Sequence, residues 1–327
     1  MTLTKRRQTI ALLIGASAAL LAPAAFAQAN GYPAKPVTFV VPFAAGSATD
    51  LLARALGTSV TQQSKQPVVV ENKAGASGMV AAQAGARAAP DGYTVLITTN
   101  TTHAANQHLY KKLPYDPVKD FAPVTGLAKG GQVLVVRADA PYKSVADLVA
   151  AAKKNPGKLT FGSGSSSSRV AGELLKQLSA TDILHVPYKS NPLAINDLLG
   201  GQIDLMITDT ATGVPQVKAG KLRALGVSTN KRLELLPEVP TIDEAGVKGY
   251  DMGFWFAAYV PAGTPPQVVA RLRELLVNAV NSEPVKAYFA SSGIYGWTST
   301  PEELSKFQKE ETDKWGKVIK AAGIEPE

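Results

Sequence analysis

The sequence predicts an α/β protein built from two lobes, each a mostly parallel sheet flanked by helices. Short runs rich in β-branched residues alternate with segments whose apolar residues recur every three or four positions. That alternation is typical of parallel strands joined by helices. About 300 residues follow position 27, which is enough chain for two domains of roughly 150 residues each.

The strands and helices are assigned from these two periodicities. The predicted strands are 37–41, 68–71, 95–98, 133–136, 159–161, 183–186, 205–207 and 225–228. The predicted helices are 50–60, 79–88, 145–154, 170–178, 192–199, 265–281 and 301–322.

Two helix starts carry capping signals. Ser144 precedes an apolar run and has Asp147 three residues later, while Thr300 is followed by Pro301 and then by Glu303. A hydroxyl at the N-cap, proline in the first turn and a returning carboxylate are the elements of a capping box. Both signals concern structure only.

Two glycine-rich stretches predict where the chain passes between the lobes. They lie at 126–131 and 248–253, and we expect a hydrophobic strand after each of them. We therefore expect a discontinuous first lobe, residues 32–127 plus 254–327, and an inserted second lobe, residues 128–253.

The first 27 residues have the pattern of a secretory signal peptide. Cations at 5–7 precede an uncharged apolar run at 10–22, and Ala25-Phe26-Ala27 supplies a small-x-small cleavage site. A membrane anchor is the alternative, but the run is shorter than the roughly 18 to 20 residues that span a bilayer. Arg6-Arg7 leaves both the general and the twin-arginine export routes open. The sequence predicts an exported protein cleaved near Ala27.

Composition argues against several classes of function. The net charge is +8, of which residues 5–7 contribute three, and the other cations are scattered rather than clustered as nucleic-acid binding requires. Cysteine is absent, so disulfides and thiol chemistry are excluded. His103 and His108 lack the spacing of a zinc pair, and His185 reads as a core histidine. No G-x-S-x-G motif occurs. We expect no metal, no cofactor and no enzymatic activity.

The first strand ends in a loop suited to a negatively charged ligand. Phe43, Ala44, Gly46, Ser47 and Asp50 lie between this strand and the helix that follows. Small residues let the backbone approach a ligand, and free N–H groups at a helix start favour an anion. An ordinary tight turn, with Asp50 only capping its helix, is the equal alternative.

Three further polar loops follow other predicted strands, at 98–103 (TTNTTH), 162–168 (GSGSSSS) and 188–191 (YKSN). Ligands of open α/β sheets bind beyond the carboxyl ends of the strands, so we expect these loops to form one polar cleft. Arg169 could clamp a second carboxylate or be a solvated surface charge. The aromatic cluster 254–256 could line the cleft, but packing at the lobe crossover is the favoured interpretation.

Several stretches, in this order, resemble a known family. They are KPVTFVVPFAAGSATDLLAR (35–54), VVVENKAGASGMVAA (68–82), DGYTVLITTNTTHAAN (91–106), AGELLKQL (171–178), HVPYKSNPLAINDLLGGQIDLMITD (185–209), AGKLRALGVST (219–229) and PAGTPPQVVARL (261–272). The chain resembles the Bug-type extracytoplasmic solute receptors of tripartite tricarboxylate transporters. The resemblance implies a periplasmic binding protein of the type II-like, Venus-flytrap kind.

The resemblance also implies a function and a site. The protein would be a monomer that closes on a small carboxylate and delivers it to a membrane permease; a sensory receptor or, less favoured, an exported hydrolase are the alternatives. The expected ligand-binding residues are Phe43, Ala44, Gly46, Ser47, Asp50, Thr101, Thr102, His103, Ser163, Ser165, Ser166, Arg169, Tyr188, Ser190 and Asp209.

The loop at 162–168 departs from the family pattern. It is shorter and richer in serine, and Arg169 stands where a histidine is common. From this difference we expect Arg169 to select a ligand with a second anionic group, such as a di- or tricarboxylate or an aromatic diacid.

Overall fold

The computed structural model describes residues 31–327, so the predicted signal peptide lies outside the described residues. The strands are β1 Val37–Val41, β2 Val68–Asn72, β3 Thr94–Thr99, β4 Phe121–Arg137, β5 Thr160–Ser163, β6 Leu184–Pro187, β7 Leu205–Asp209, β8 Leu222–Val227, β9 Gly253–Pro261 and β10 Ile294–Gly296. In this part of the chain, no helix is long and apolar enough to cross a membrane.

The helices are α1 Ala48–Ser64, α2 Met79–Ala86, α3 Asn106–Leu109, α4 Val145–Lys154, α5 Ser166–Ser179, α6 Asn191–Leu199, α7 Thr210–Lys218, α8 Pro266–Val280, α9 Glu283–Ser292 and α10 Pro301–Ala321. A 3₁₀ turn (Ala76–Gly78) and a π-helical turn (Thr101–Ala105) complete the regular structure.

The long strand β4 joins two sheets into one continuous path. Through Gly131 it pairs with β9, and from Gln132 it pairs with β7. We call β1, β2, β3, β9, β10 and the first part of β4 the first sheet, and β5 to β8 with the rest of β4 the second sheet. The strand order is β2-β1-β3-β9-β4-β7-β5-β6, with β8 and β10 also paired to β4.

The predicted α/β class is confirmed, and each sheet combines two pairing modes. The strands β2-β1-β3 are parallel in the first sheet, and β6-β5-β7 are parallel in the second. The strands β4 and β9 run antiparallel to their neighbours. They carry the chain between the sheets in opposite directions, so they are also antiparallel to each other.

The glycine-rich stretch of the first predicted crossover lies inside β4. Neighbouring side chains approach the backbone of this strand so closely that some positions have no room for a Cβ atom. A Cβ atom on Gly126 would lie 2.5 Å from the Trp297 ring, and one on Gly130 would lie 2.6 Å from Ile294. Because β4 spans Phe121–Arg137, it extends far beyond the predicted strand 133–136. The predicted lobe boundaries themselves stay a prediction.

The aromatic cluster at 254–256 belongs to β9, the hydrophobic strand expected after the second glycine-rich stretch. Trp255 and Tyr259 pack in one hydrophobic core, whereas Phe254 and Phe256 pack in another. Because both faces of β9 are buried, it lacks the alternation of apolar and polar residues from which the bounds of a strand are assigned. The helix α7 was missed, since Gly213 and Pro215 interrupt its helical pattern.

Both predicted helix starts are confirmed. The Ser144 hydroxyl accepts a hydrogen bond from the Asp147 N–H, 3.1 Å away, at the start of α4. At α10, Thr300 Oγ1 accepts from the Glu303 N–H (3.1 Å), and Glu303 Oε2 accepts from the Thr300 N–H (2.8 Å). This reciprocal pair satisfies two donors that the helix itself leaves unpaired.

We expect Thr300→Ala to lower the free energy of unfolding by about 1 kcal/mol, because the Glu303 N–H loses its acceptor. Urea denaturation followed by circular dichroism measures this change. The exposed Thr58→Ala in α1 is the matched control and should change stability by less than about 0.5 kcal/mol. Equal effects of the two substitutions would contradict the capping role.

Candidate functional site

A cavity opens where strands of both sheets end. Its volume is about 400 Å³. Its walls come from the loops after β1, β3, β5, β6 and β7 and from β4 and β9. The lining residues are Phe43, Ser47, Ala48, Thr49, Thr99, Asn100, Gln132, Gly164, Ser165, Ser167, Asn191, Asp209, Phe254 and Phe256.

Four helices begin at the wall of this cavity. Their N-cap residues are Ser47 for α1, Ser165 for α5, Ser190 for α6 and Asp209 for α7. The first N–H groups of a helix have no partner within the helix, and the helix dipole places partial positive charge there. The predicted convergence of polar loops at the strand ends is therefore observed, with α1 from the first sheet and three helices from the second.

Gly164 brings two of these loops into contact. A Cβ atom at this position would lie 1.9 Å from the carbonyl carbon of Ser190 and 2.0 Å from the nitrogen of Asn191. The Gly164 N–H donates to Asn191 Oδ1 (3.0 Å). Only glycine allows this approach, which holds the starts of α5 and α6 side by side.

Nine of the fourteen lining residues are polar, and one of these, Asp209, is charged. The Asp209 carboxylate accepts hydrogen bonds from Asn191 Nδ2 (2.7 Å) and from the Thr212 N–H (2.8 Å) and hydroxyl (2.7 Å). It thereby fixes the start of α7. No lysine or arginine lines the cavity in the described part of the chain.

Three phenylalanines supply the apolar part of the wall. Phe43 comes from the first loop, and Phe254 and Phe256 come from β9, where their rings meet edge to face at 5.2 Å. The aromatic cluster therefore both packs and lines the cavity, because alternate residues of a strand point to opposite faces.

Asp50 supports the first loop from behind. Its carboxylate accepts from the Gly46 N–H (2.9 Å), from Arg54 Nη2 (2.9 Å) and from Asn72 Nδ2 (3.0 Å). Burial alone would raise the pKa of Asp50, but these hydrogen bonds lower the pKa below its usual value. Asp50 is thus a buried anion that shapes the loop without lining the cavity; Ala44 and Gly46 also lie outside the lining.

The residues predicted after β3 are buried beside the cavity rather than in its wall. Thr102 hydrogen-bonds to Thr98, and the fully buried His103 stacks on Tyr259 with ring centroids 4.0 Å apart. Burial lowers the pKa of His103 to about 3, so its ring is neutral at pH 7. Within residues 31–327, Thr101 Oγ1 and His103 Nε2 have no hydrogen-bond partner.

Two of the predicted serines are engaged in other contacts. Ser163 Oγ lies 2.7 Å from His185 Nε2, which bears out a hydrogen-bonded histidine at this strand position. Burial lowers the pKa of His185 to about 4, aided by the nearby Arg169 and Lys176. Ser166 Oγ donates to Asn106 Oδ1 (2.7 Å), linking α5 to α3. Neither serine lines the cavity.

Arg169 points away from the cavity. Its Nη1 lies 2.6 Å from Glu327 Oε1. The Glu327 backbone is hydrogen-bonded to Leu109 and Lys111, so this ion pair links α5 to the segment after α3. The Arg169 guanidinium pairs with the Glu327 carboxylate. The sequence pattern did not reveal this partner.

The loop predicted at 188–191 contributes through its last residue, Asn191. The Tyr188 hydroxyl donates to Asp197 (2.7 Å), and Ser190 is buried with its Oγ unpartnered among the described residues. Neither lines the cavity, but Asn191, directly after them, does. Of the predicted residues, Phe43, Ser47, Ser165 and Asp209 form part of the wall.

Ten lining residues lie outside the expected ligand-binding set. Seven of them belong to the loops that the sequence analysis singled out: Ala48, Thr49, Thr99, Asn100, Gly164, Ser167 and Asn191. Gln132 directly precedes the predicted strand 133–136, and Phe254 and Phe256 belong to the aromatic cluster for which lining the cleft was the less favoured interpretation. Residues 31–327 contain no group of three or more histidine, aspartate or glutamate side chains that could hold a metal ion.

Comparison with known proteins identifies the relatives of this chain. Residues 52–324 match the model of the tripartite tricarboxylate transporter family receptor. Protein BugT of Bordetella pertussis is 32% identical over 326 residues, covering 99% of this chain and 99% of BugT.

Solved structures agree with this result. The structure of Rpa4515 from R. palustris with adipate is 35% identical, has a TM-score of 0.87 and covers 90% of this chain and 100% of that one. MatC from Rhodopseudomonas palustris with bound malate is 32% identical, with a TM-score of 0.84 and coverage of 88% and 100%.

The buried His103 predicts a pH dependence of stability. Its folded pKa of about 3 lies below the unfolded value near 6.5, so the unfolded chain binds a proton that the folded chain excludes. This contribution is fully present above pH 6.5 and is lost as the pH falls. When the pH is lowered from 6.5 to 5, we expect the free energy of unfolding to fall by about 2 kcal/mol because His103 stays unprotonated in the folded chain.

Denaturant titrations at several pH values measure this loss. His103→Phe keeps an aromatic ring against Tyr259 and should flatten the slope, while His185 contributes a further loss in both proteins. Identical slopes for the variant and the original chain would contradict the assignment to His103.

Proposed function

Because this chain belongs to the tripartite tricarboxylate transporter receptor family, in its Bug-type branch, we propose that it captures a small carboxylate between its lobes and delivers it to a membrane permease. Proteins of this family are solute-binding receptors, not enzymes. The observation that carries the proposal is the convergence of four helix starts on one cavity without a lining cation.

Backbone N–H groups suit a carboxylate in such a wall. Each helix start contributes only about 0.3 to 1 kcal/mol at an exposed site, but the contributions sum when several helices face one anion away from water. Ser47 at α1 and Ser165 at α5 belong to different sheets, so a ligand with two acidic groups can be bound from both sides. The adipate and malate bound by two relatives support a dicarboxylate ligand. The proposal also includes tricarboxylic and aromatic acids.

The lobes would move about the two strands that connect the sheets. The change of partner in β4 falls between Gly131 and Gln132, and β9 begins at Gly253, opposite Gly131. These positions support a division into residues 32–127 plus 254–327 and residues 128–253. Ligand contacts made only in the closed form would shift the population toward closure, and the permease would recognise that form.

Contacts beside the cavity would also favour closure. Ser166 on α5 donates to Asn106, and Arg169 pairs with Glu327, which is anchored near Leu109. Both contacts join α5 of the second lobe to chain that belongs to the first.

The proposed site of action is the periplasm. The signal-peptide pattern of residues 1–27, with cleavage near Ala27, supports export, and we propose that the exported protein is a monomer. A sensory role would use the same closure with a different membrane partner. The paired Ser163 and His185 do not support a hydrolase, since neither lines the cavity.

A thermal-shift screen of the chain from Gln28 onward against carboxylic acids tests the proposal. An acid present at 100 times its Kd should add about 2.7 kcal/mol to the free energy of unfolding and raise the melting temperature. Matched amides or alcohols of the same acids are the control and should have no effect. If no acid stabilises the protein, or if an acid is chemically converted, the proposed function is wrong.

The predicted role of Arg169 in selecting a second acidic group is open to direct test. Because its guanidinium pairs with Glu327 outside the cavity wall, we expect Arg169→Ala to weaken mono- and diacids equally, by at most about fivefold. Calorimetry gives the affinities, and Glu327→Gln is the matched control with the same small effect. A loss confined to diacids would instead support the clamp.

A further inference from the structure

Two amide side chains in the cavity wall have hydrogen-bonding atoms without a partner. Three amides line the cavity: Asn100, Gln132 and Asn191. Asn191 uses both ends of its amide, accepting from Gly164 and donating to Asp209. Among residues 31–327, Asn100 Nδ2 and Gln132 Oε1 are fully buried and have no partner. Leaving such atoms unpaired is costly, so a bound molecule that pairs them gains affinity.

The orientation of Asn100 is fixed by the backbone. Its Oδ1 accepts from the Trp255 N–H (3.4 Å), which leaves Nδ2 as a buried, unpartnered donor on a residue that lines the cavity. Such a donor suits a carboxylate or hydroxyl oxygen. Asn100 follows β3 of the first sheet.

Gln132 faces it from the second sheet. The Gln132 N–H donates to Ser228 Oγ, and the Gln132 carbonyl oxygen accepts from the Ser228 N–H. These two hydrogen bonds hold the residue where β4 changes partner. Its unpaired Oε1 is an acceptor and needs a donor from the ligand. A carboxylate has no donor at pH 7, whereas a hydroxyl has one.

An ammonium group also donates hydrogen bonds, but the one carboxylate among the described lining residues has no oxygen left free to accept from it. The Asp209 carboxylate is already occupied by Asn191 and Thr212. We propose that Asn100 and Gln132 select a hydroxycarboxylic acid, with Asn100 Nδ2 donating to a ligand oxygen and Gln132 Oε1 accepting from the ligand hydroxyl. This inference rests on the proposed function and specifies its ligand class.

Calorimetry on the chain from Gln28 onward with three pairs of acids tests this selection: lactate and propionate, malate and succinate, citrate and tricarballylate. The members of each pair differ by one hydroxyl. In any pair that binds, we expect the hydroxy acid to bind about 10- to 100-fold more tightly. Aspartate should bind more weakly than malate.

Gln132→Met keeps the length of the side chain but removes the amide. It should weaken the hydroxy acid about 10- to 100-fold and leave its partner within about threefold, so the preference disappears. The exposed Gln202→Met is the matched control and should change neither affinity. Asn100→Asp keeps the acceptor for Trp255 but replaces the donor with a charge, and should weaken both acids of a pair. Melting temperatures report whether each variant is folded.

The outcomes separate the two proposals. Equal affinities within a binding pair, equal losses of both acids in Gln132→Met, or a preference for aspartate over malate would overturn the selection of a hydroxy acid. The selection of a hydroxy acid would also be overturned if other acids bind in the thermal-shift screen and none of these six acids binds. If no carboxylic acid binds at all, the proposed function itself fails.

Discussion

The unpaired N–H groups at the starts of helices are the constraint around which this cavity is organised. Each parallel strand ends at the same edge of its sheet, so each following helix begins there, and its first donors face the same space. Those donors need acceptors from caps, water or a ligand. Ser47, Ser165 and Asp209 each satisfy one donor and leave others free. The fold thus generates an anion-accepting site without needing a cation.

The absence of a lysine or arginine from the described wall of the cavity has consequences for binding and release. A lysine or arginine would hold any anion through a strong, weakly directional charge, whereas N–H groups and amides require acceptors at defined positions. Selectivity then depends on the arrangement of hydrogen bonds. The cations near the site are engaged elsewhere: Arg54 with Asp50, and Arg169 with Glu327. His103 is neutral, so it adds no positive charge.

Much of the fold could be predicted because local patterns and tertiary packing agree there. The bounds of β1 and α4 match the predicted 37–41 and 145–154. A hydrophobic strand was expected after 248–253, but the bounds of β9 could not be predicted, since burial on both faces removes the alternation that marks a strand. The polar loops were predicted to meet, and they do. Which of their side chains face the ligand depends on strand direction and on distant partners such as Glu327 for Arg169, and neither is encoded locally.

The two strands that connect the sheets would also give the site its mechanical character. Because β4 and β9 are the paired connection between the sheets, Gln132 and Phe254 lie in the cavity wall and beside the proposed pivot at once. In the proposed closure, a residue at the pivot would move little, so its contacts with a ligand would form early. The helix starts would approach the ligand as the lobes close. Recognition of the ligand's polar groups at the pivot would then precede the full engagement of its charge, and a molecule that fails at the first step would gain less from the second.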